Sequence, residues 1–129
     1  MTRDDLRSGL KAVQRAVVTD AMVTTHAGGA RLTTPSMIML MEETAQELTR
    51  PYLPDDHTTV GFEISVRHLA PTPPGDTITL TAELVEVDGR KLFFNVTADN
   101  ERQRIGVGTL RRTIVKLASL EDGAASSAT

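Results

Sequence analysis

None of the 129 residues is cysteine, which excludes disulfides, thiolate zinc sites, iron–sulfur clusters and a cysteine nucleophile at once. Tryptophan is also missing and aromatic residues make up only 3% of the chain, so the stacking surfaces that hold single-stranded nucleic acid are scarce. The formal net charge is -3, with acids and bases interspersed. No continuous basic surface can track a phosphate backbone, and no nucleic-acid partner is expected. No apolar run approaches the roughly 20 residues that span a bilayer, and the opening MTRDDLRSGLKA lacks the apolar centre of a signal peptide. The chain therefore reads as cytoplasmic, with no membrane partner. No G-x-G-x-x-G follows a strand pattern and no G-x-S-x-G occurs, so the nucleotide-binding and serine-hydrolase classes lack their motifs.

What is present fits one domain over residues 1–119, long enough to bury a core without staples. The small, polar residues 120–129 read as a disordered tail. Ala12 to Thr25 carries enough Val and Thr for a first strand, and HAGGARL then breaks regular structure at Gly28 and Gly29. TTPSMIMLMEETAQELTRPYL follows with a full helix signal. Thr34 is placed to cap the free amides, Pro35 to occupy the first helical position, and Pro51 to stop the helix. Met37, Ile38, Met39, Leu40 and Met41 are consecutive, so the first turns are apolar all round and should be buried on most sides. At 100° per residue, Ser36, Glu43 and Glu47 cluster on a polar side, while Glu42 lies beside Ile38, Ala45 and Thr49.

Beyond the helix the period falls to two. Val60, Phe62, Ile64, Val66 and His68 share one expected strand face; Ile78, Leu80, Ala82 and Leu84 a second; Leu92, Phe94, Val96 and Ala98 a third. Asp88-Gly89 is a hairpin signal, and Gly106 and Gly108 in the last strand suggest a bulge or a close approach of backbone. The order strand, helix, four strands specifies an α+β fold: an antiparallel sheet of about five strands around one buried helix.

Taken singly, the candidate groups have ordinary explanations. His68 could be a hydrogen-bonded core histidine, Glu42 a helix-edge carboxylate reaching water, and Thr34 a cap. Together they place an acid on the helix and a base on the sheet covering it, a costly arrangement unless the two are used or paired. His26 and His57 fall in polar turns. Even with Asp55 and Asp56 beside His57, no register fixes a ligand set, so no metal is expected. Arg102, Arg104, Arg111 and Arg112 alternate along the last hairpin as a solvated face would, although a phosphate-bearing thioester carrier could use some of them.

The segments TTPSMIMLMEETA, TVGFEISVRHLAPTPPGDTITLTAEL, VDGRKLFFNV and IGVGTLRRTIV, in that order, resemble the fluoroacetyl-CoA thioesterase type of hotdog-fold protein over roughly Val17 to Lys116. The resemblance implies a long helix wrapped by an antiparallel sheet, a homodimer, and acyl-thioester sites near the dimer interface. It implies catalytic roles for Thr34, Glu42 and His68, and substrate contacts at Gly61 and Arg112. It calls for no cofactor. The fluoroacetyl-specific enzyme carries a phenylalanine-bearing lid before its threonine, whereas this chain has HAGGARL, so the implied activity is hydrolysis of an acyl thioester without fluoroacetyl specificity. The thiol could be CoA or an acyl carrier protein. Arg31 in the glycine-rich entrance and Met37 join the candidate substrate contacts. Two alternatives stand beside hydrolysis: addition of glycine or another amine to an α,β-unsaturated thioester before hydrolysis, and a non-catalytic acyl-binding module.

Overall fold

The computed structural model describes residues 1–25 and 28–121. His26 and the tail residues 122–129 lie outside them. The order is β1 (Lys11–Val17), β2 (Val23–Thr24), β3 (Arg31–Leu32), α1 (Thr34–Thr49), β4 (His57–His68), β5 (Thr77–Asp88), β6 (Lys91–Asp99) and β7 (Arg104–Lys116). Five strands form one antiparallel sheet in the order β1-β5-β6-β7-β4, and β2 pairs separately with β3. This is the expected α+β hotdog architecture, with α1 lying along one face of the sheet.

Helix and sheet meet because their periods agree. Met37, Met41, Ala45 and Leu48 form the buried stripe of α1, facing Ile78, Leu80, Ala82 and Leu84 of β5 and Leu92, Phe94 and Val96 of β6. Burying each large apolar side chain here contributes about 1.5–3 kcal/mol. Gly106 provides the clearance: a Cβ there would stand 2.4 Å from the Met37 sulfur. The Asp88-Gly89 hairpin forms as expected, with Gly89 at φ 59°.

Four expectations change. The first strand ends at Val17, because a short 3-10 turn at Asp20–Met22 takes over. The helix cap is Thr33, whose side chain accepts from the Ser36 amide at 3.2 Å; Thr34 is the first helical residue and Pro35 the second. The apolar first turns of α1 are only half covered, since Met39 is 62% exposed. Finally, β4 does not keep one phase. A bulge between Gly61 and Glu63 leaves Phe62 as an extra residue in the pairing with β7. Phe62 and Val60 consequently lie on the outer face of the sheet, where the Lys91 ammonium sits 5.2 Å from the Phe62 ring centre. Thr59, Gly61, Ile64, Val66 and His68 share the face toward α1, as their pairing with Ile114, Arg112, Leu110, Gly108 and Gly106 requires.

Candidate active site

Two groups of side chains meet along α1. At its N-terminus Thr34 Oγ1 lies 2.8 Å from His68 Nδ1 at the end of β4. Thr33 makes this contact possible by taking over the capping role, which leaves the Thr34 hydroxyl uncommitted to the helix amides. His68 Nε2 is buried without a hydrogen-bond partner among the described residues.

Two turns later the Arg112 guanidinium donates through Nη1 to Glu42 Oε2 at 2.9 Å, through Nε to Thr59 Oγ1 at 2.9 Å, and through Nη2 to the Thr59 carbonyl at 2.8 Å. All three nitrogens are occupied, so the cation has one orientation and presents one edge to the carboxylate. Its side chain is 6% exposed while that of Glu42 is 31% exposed. The carboxylate therefore borders open space while its partner is sealed beneath it. Burial pushes Arg112 below its ordinary pKa and Glu42 pulls it back, leaving it charged at neutral pH. Gly61 completes the group: a Cβ there would stand 2.7 Å from Glu42 Oε2. A hollow of about 470 Å³ opens at this carboxylate, walled by Pro35, Ile38, Met39, Gln46 and Arg112.

The structure thus joins Thr34 with His68 and Glu42 with Gly61 and Arg112, but the two groups are eight helical residues apart, about 12 Å. Met37 is fully buried in the core, its sulfur packed at Gly106, the residue opposite His68 in the sheet, so it lies under the site and not in its open hollow. Arg31 lies on β3, three residues before Thr34. Thr59, which holds Arg112, was missed in the sequence; the only signal for it is its place two residues before Gly61 on the same face. His57 pairs with Asp56 at 2.7 Å, and no cluster of three or more metal-ligating side chains occurs among the described residues. Among them, no helix is long and apolar enough to cross a membrane.

Burial holds His68 below the ordinary imidazole value, with the Ala70 main chain pulling partly back, so the ring is neutral at neutral pH. In the unfolded chain it takes a proton near pH 6.5, above its folded value. The stability held above that pH is therefore lost as the pH falls from about 6.5 toward the folded pKa. We expect a His68 imidazole titration by NMR with its midpoint below the free-histidine value; a midpoint at or above it contradicts the burial argument.

The family model described as fluoroacetyl-CoA-specific thioesterase matches residues 13–118. A fluoroacetyl-CoA thioesterase from Streptantibioticus cattleyicolor is 42% identical over 81 residues; the match covers 63% of this chain and 58% of that protein's length. A solved structure of a fluoroacetyl-CoA thioesterase superposes with a TM-score of 0.89 at 31% identity, covering 94% of this chain and 96% of the other. A Thermus thermophilus member of the thioesterase superfamily superposes with a TM-score of 0.80 at 28% identity, covering 89% and 88%.

Proposed function

This chain belongs to the family of fluoroacetyl-CoA-specific thioesterases, and from that premise we propose that it hydrolyses acyl-CoA thioesters using Thr34, Glu42 and His68. The observation that carries the reading is the locked Arg112 beneath Glu42. A buried cation holds a half-open carboxylate beside Gly61, which fixes the direction in which a base is aimed into a largely apolar hollow.

In the reaction, Glu42 takes a proton from water while the water oxygen bonds to the thioester carbonyl carbon. The bulge takes Phe62 out of the ladder, and main-chain amides beside Gly61 stabilise the oxyanion. Collapse breaks the carbon–sulfur bond, and the proton held on Glu42 passes to the thiolate. Thr34, backed by the neutral His68 imidazole, fixes the thioester from the opposite wall. Single turnover in ¹⁸O-labelled water tests the role of Glu42: label confined to the released acid supports the base, whereas label in the Glu42 side chain shows direct attack and a mixed anhydride.

The 12 Å between the two groups is bridged if two copies pair along β4. That strand ends the sheet, so one edge of its backbone is unpaired in a single chain. Ile64 on its inner face is 42% exposed, and Met39 on α1 is 62% exposed. An antiparallel pairing about a two-fold axis near Ile64 and Ser65 sets Gly61 opposite the partner's His68, bringing Glu42 against the partner's Thr34. Mixing two inactive variants, Glu42→Gln and His68→Ala, after dissociation and reassembly should restore activity, because each mixed dimer regains one intact site. No recovery in a verified mixed dimer rules out the shared site.

A further inference from the structure

A second cavity, of about 400 Å³, lies at the far end of β7 where three distant parts of the chain converge. Arg3 comes from the N-terminal 3-10 turn, Arg90 from the β5–β6 turn and Lys116 from the end of β7. The convergence is tied down: the Arg3 guanidinium donates to the Gly89 carbonyl, and the Ile114 amide donates to the Arg90 carbonyl at 2.8 Å. Leu53, Pro54 and Ile114 supply apolar walls.

These cations differ from three arginines of the β6–β7 hairpin. Arg102, Arg104 and Arg111 are paired with Asp76, Asp99 and Glu63. Among the described residues neither Arg90 nor Lys116 forms an ion pair. Lys116 does act on Asp56, but that carboxylate is bonded to His57 and its side chain is 71% exposed. In a chain of net charge -3, unbalanced cations around a partly apolar cavity suit a ligand that carries phosphate and a flat apolar base.

Shared lining residues lead from this cavity toward the carboxylate. Gln46, one turn beyond Glu42, lines both the hollow at Arg112 and a neighbouring hollow of about 310 Å³. That hollow in turn shares Leu53, Pro54 and His57 with the basic cavity. From Arg112 to Lys116 is four strand residues, about 13 Å, a span that an extended phosphopantetheine arm covers. We propose that the basic cavity receives the phosphoadenosine end of a CoA thioester, with its phosphates on Arg3, Arg90 and Lys116 and its adenine against Leu53, Pro54 and Ile114. The proposal rests on the thioesterase reading. It favours CoA over a carrier protein, whose prosthetic arm has a single phosphodiester and no base.

The test uses the full-length protein with Arg90→Gln and Lys116→Gln combined. For an acyl-CoA substrate KM should rise about tenfold, equivalent to about 1.4 kcal/mol, with little change in kcat. The same acyl group on N-acetylcysteamine, which carries no phosphate, should be hydrolysed as fast as by the parent. Calorimetry with phosphoadenosine phosphate, the nucleotide half of CoA, should show binding to the parent and about tenfold weaker binding to the double variant. Equal loss on both substrates, unchanged nucleotide binding, or a KM effect confined to acyl carrier protein overturns the proposal. A parent that binds the nucleotide through these residues yet cleaves no thioester refutes the hydrolase reading and leaves the nucleotide site standing.

Discussion

Glu42→Gln should lower kcat for acyl-CoA hydrolysis by about a hundred- to ten-thousand-fold, the range for removing a positioned general base. The substitution keeps the shape of the side chain and removes its charge and basicity. Arg112 would still find a carbonyl oxygen at Oε, and its other two bonds go to Thr59 and survive. The fold is therefore retained, at a cost of about 1–3 kcal/mol for the weakened charge-assisted contact, and circular dichroism should match the parent. Glu42→Asp provides the geometric control: it keeps the charge but withdraws it from the hollow, so activity should fall with ionisation intact. Parent-like turnover by a folded Glu42→Gln protein would exclude the carboxylate from the chemistry. An active parent with an inactive variant excludes the non-catalytic acyl-binding module.

Gly108→Ala should destabilise the protein by about 3 kcal/mol or more, at or beyond the upper end of ordinary overpacking costs. A Cβ at that position would stand 2.2 Å from the Ser65 carbonyl oxygen and 2.7 Å from the Val66 Cα. Both are main-chain atoms of the neighbouring strand, so no rotamer change can relieve the clash and β4 must move away from β7. The comparison is Gly106→Ala, where the nearest atoms belong to the flexible ends of Met37 and Met41. That change should cost distinctly less, since methionine adapts its shape. Denaturant unfolding of both variants decides the matter, and equal midpoints would contradict it. Because β4 carries both Gly61 and His68, Gly108→Ala should also lose activity in whatever fraction remains folded.

Much of this architecture was legible in the sequence because its periods are simple. The alternating runs of β5 and β6 became the buried faces expected of them, and Gly106 marked a close approach that the helix uses. Thr34, Glu42 and His68 were each visible as candidates, but their grouping was not. Thr33 and Thr34 are the same residue type side by side, and only the helix start decides which one caps and which one faces His68. The Arg112 contacts depend on Thr59, a threonine with no motif around it, and on a bulge that pattern counting cannot detect. Arg3, Arg90 and Lys116 are farther still from any sequence signal, since their meeting depends on how three separate turns stack at one end of the sheet.

The extra residue at Phe62 bears on how relatives of this chain should be aligned. Gly61 and His68 are seven positions apart, an odd interval that would place them on opposite sides of a regular strand, yet both face α1 because one residue between them takes no place in the ladder. A gap opposite Phe62 in a related sequence would therefore be structurally silent, leaving every remaining side chain on its own side. A gap three or four positions later, at Ser65 or Val66, would turn one end of the site outward. Two alignments that score alike by residue count would then describe an intact site and a dismantled one.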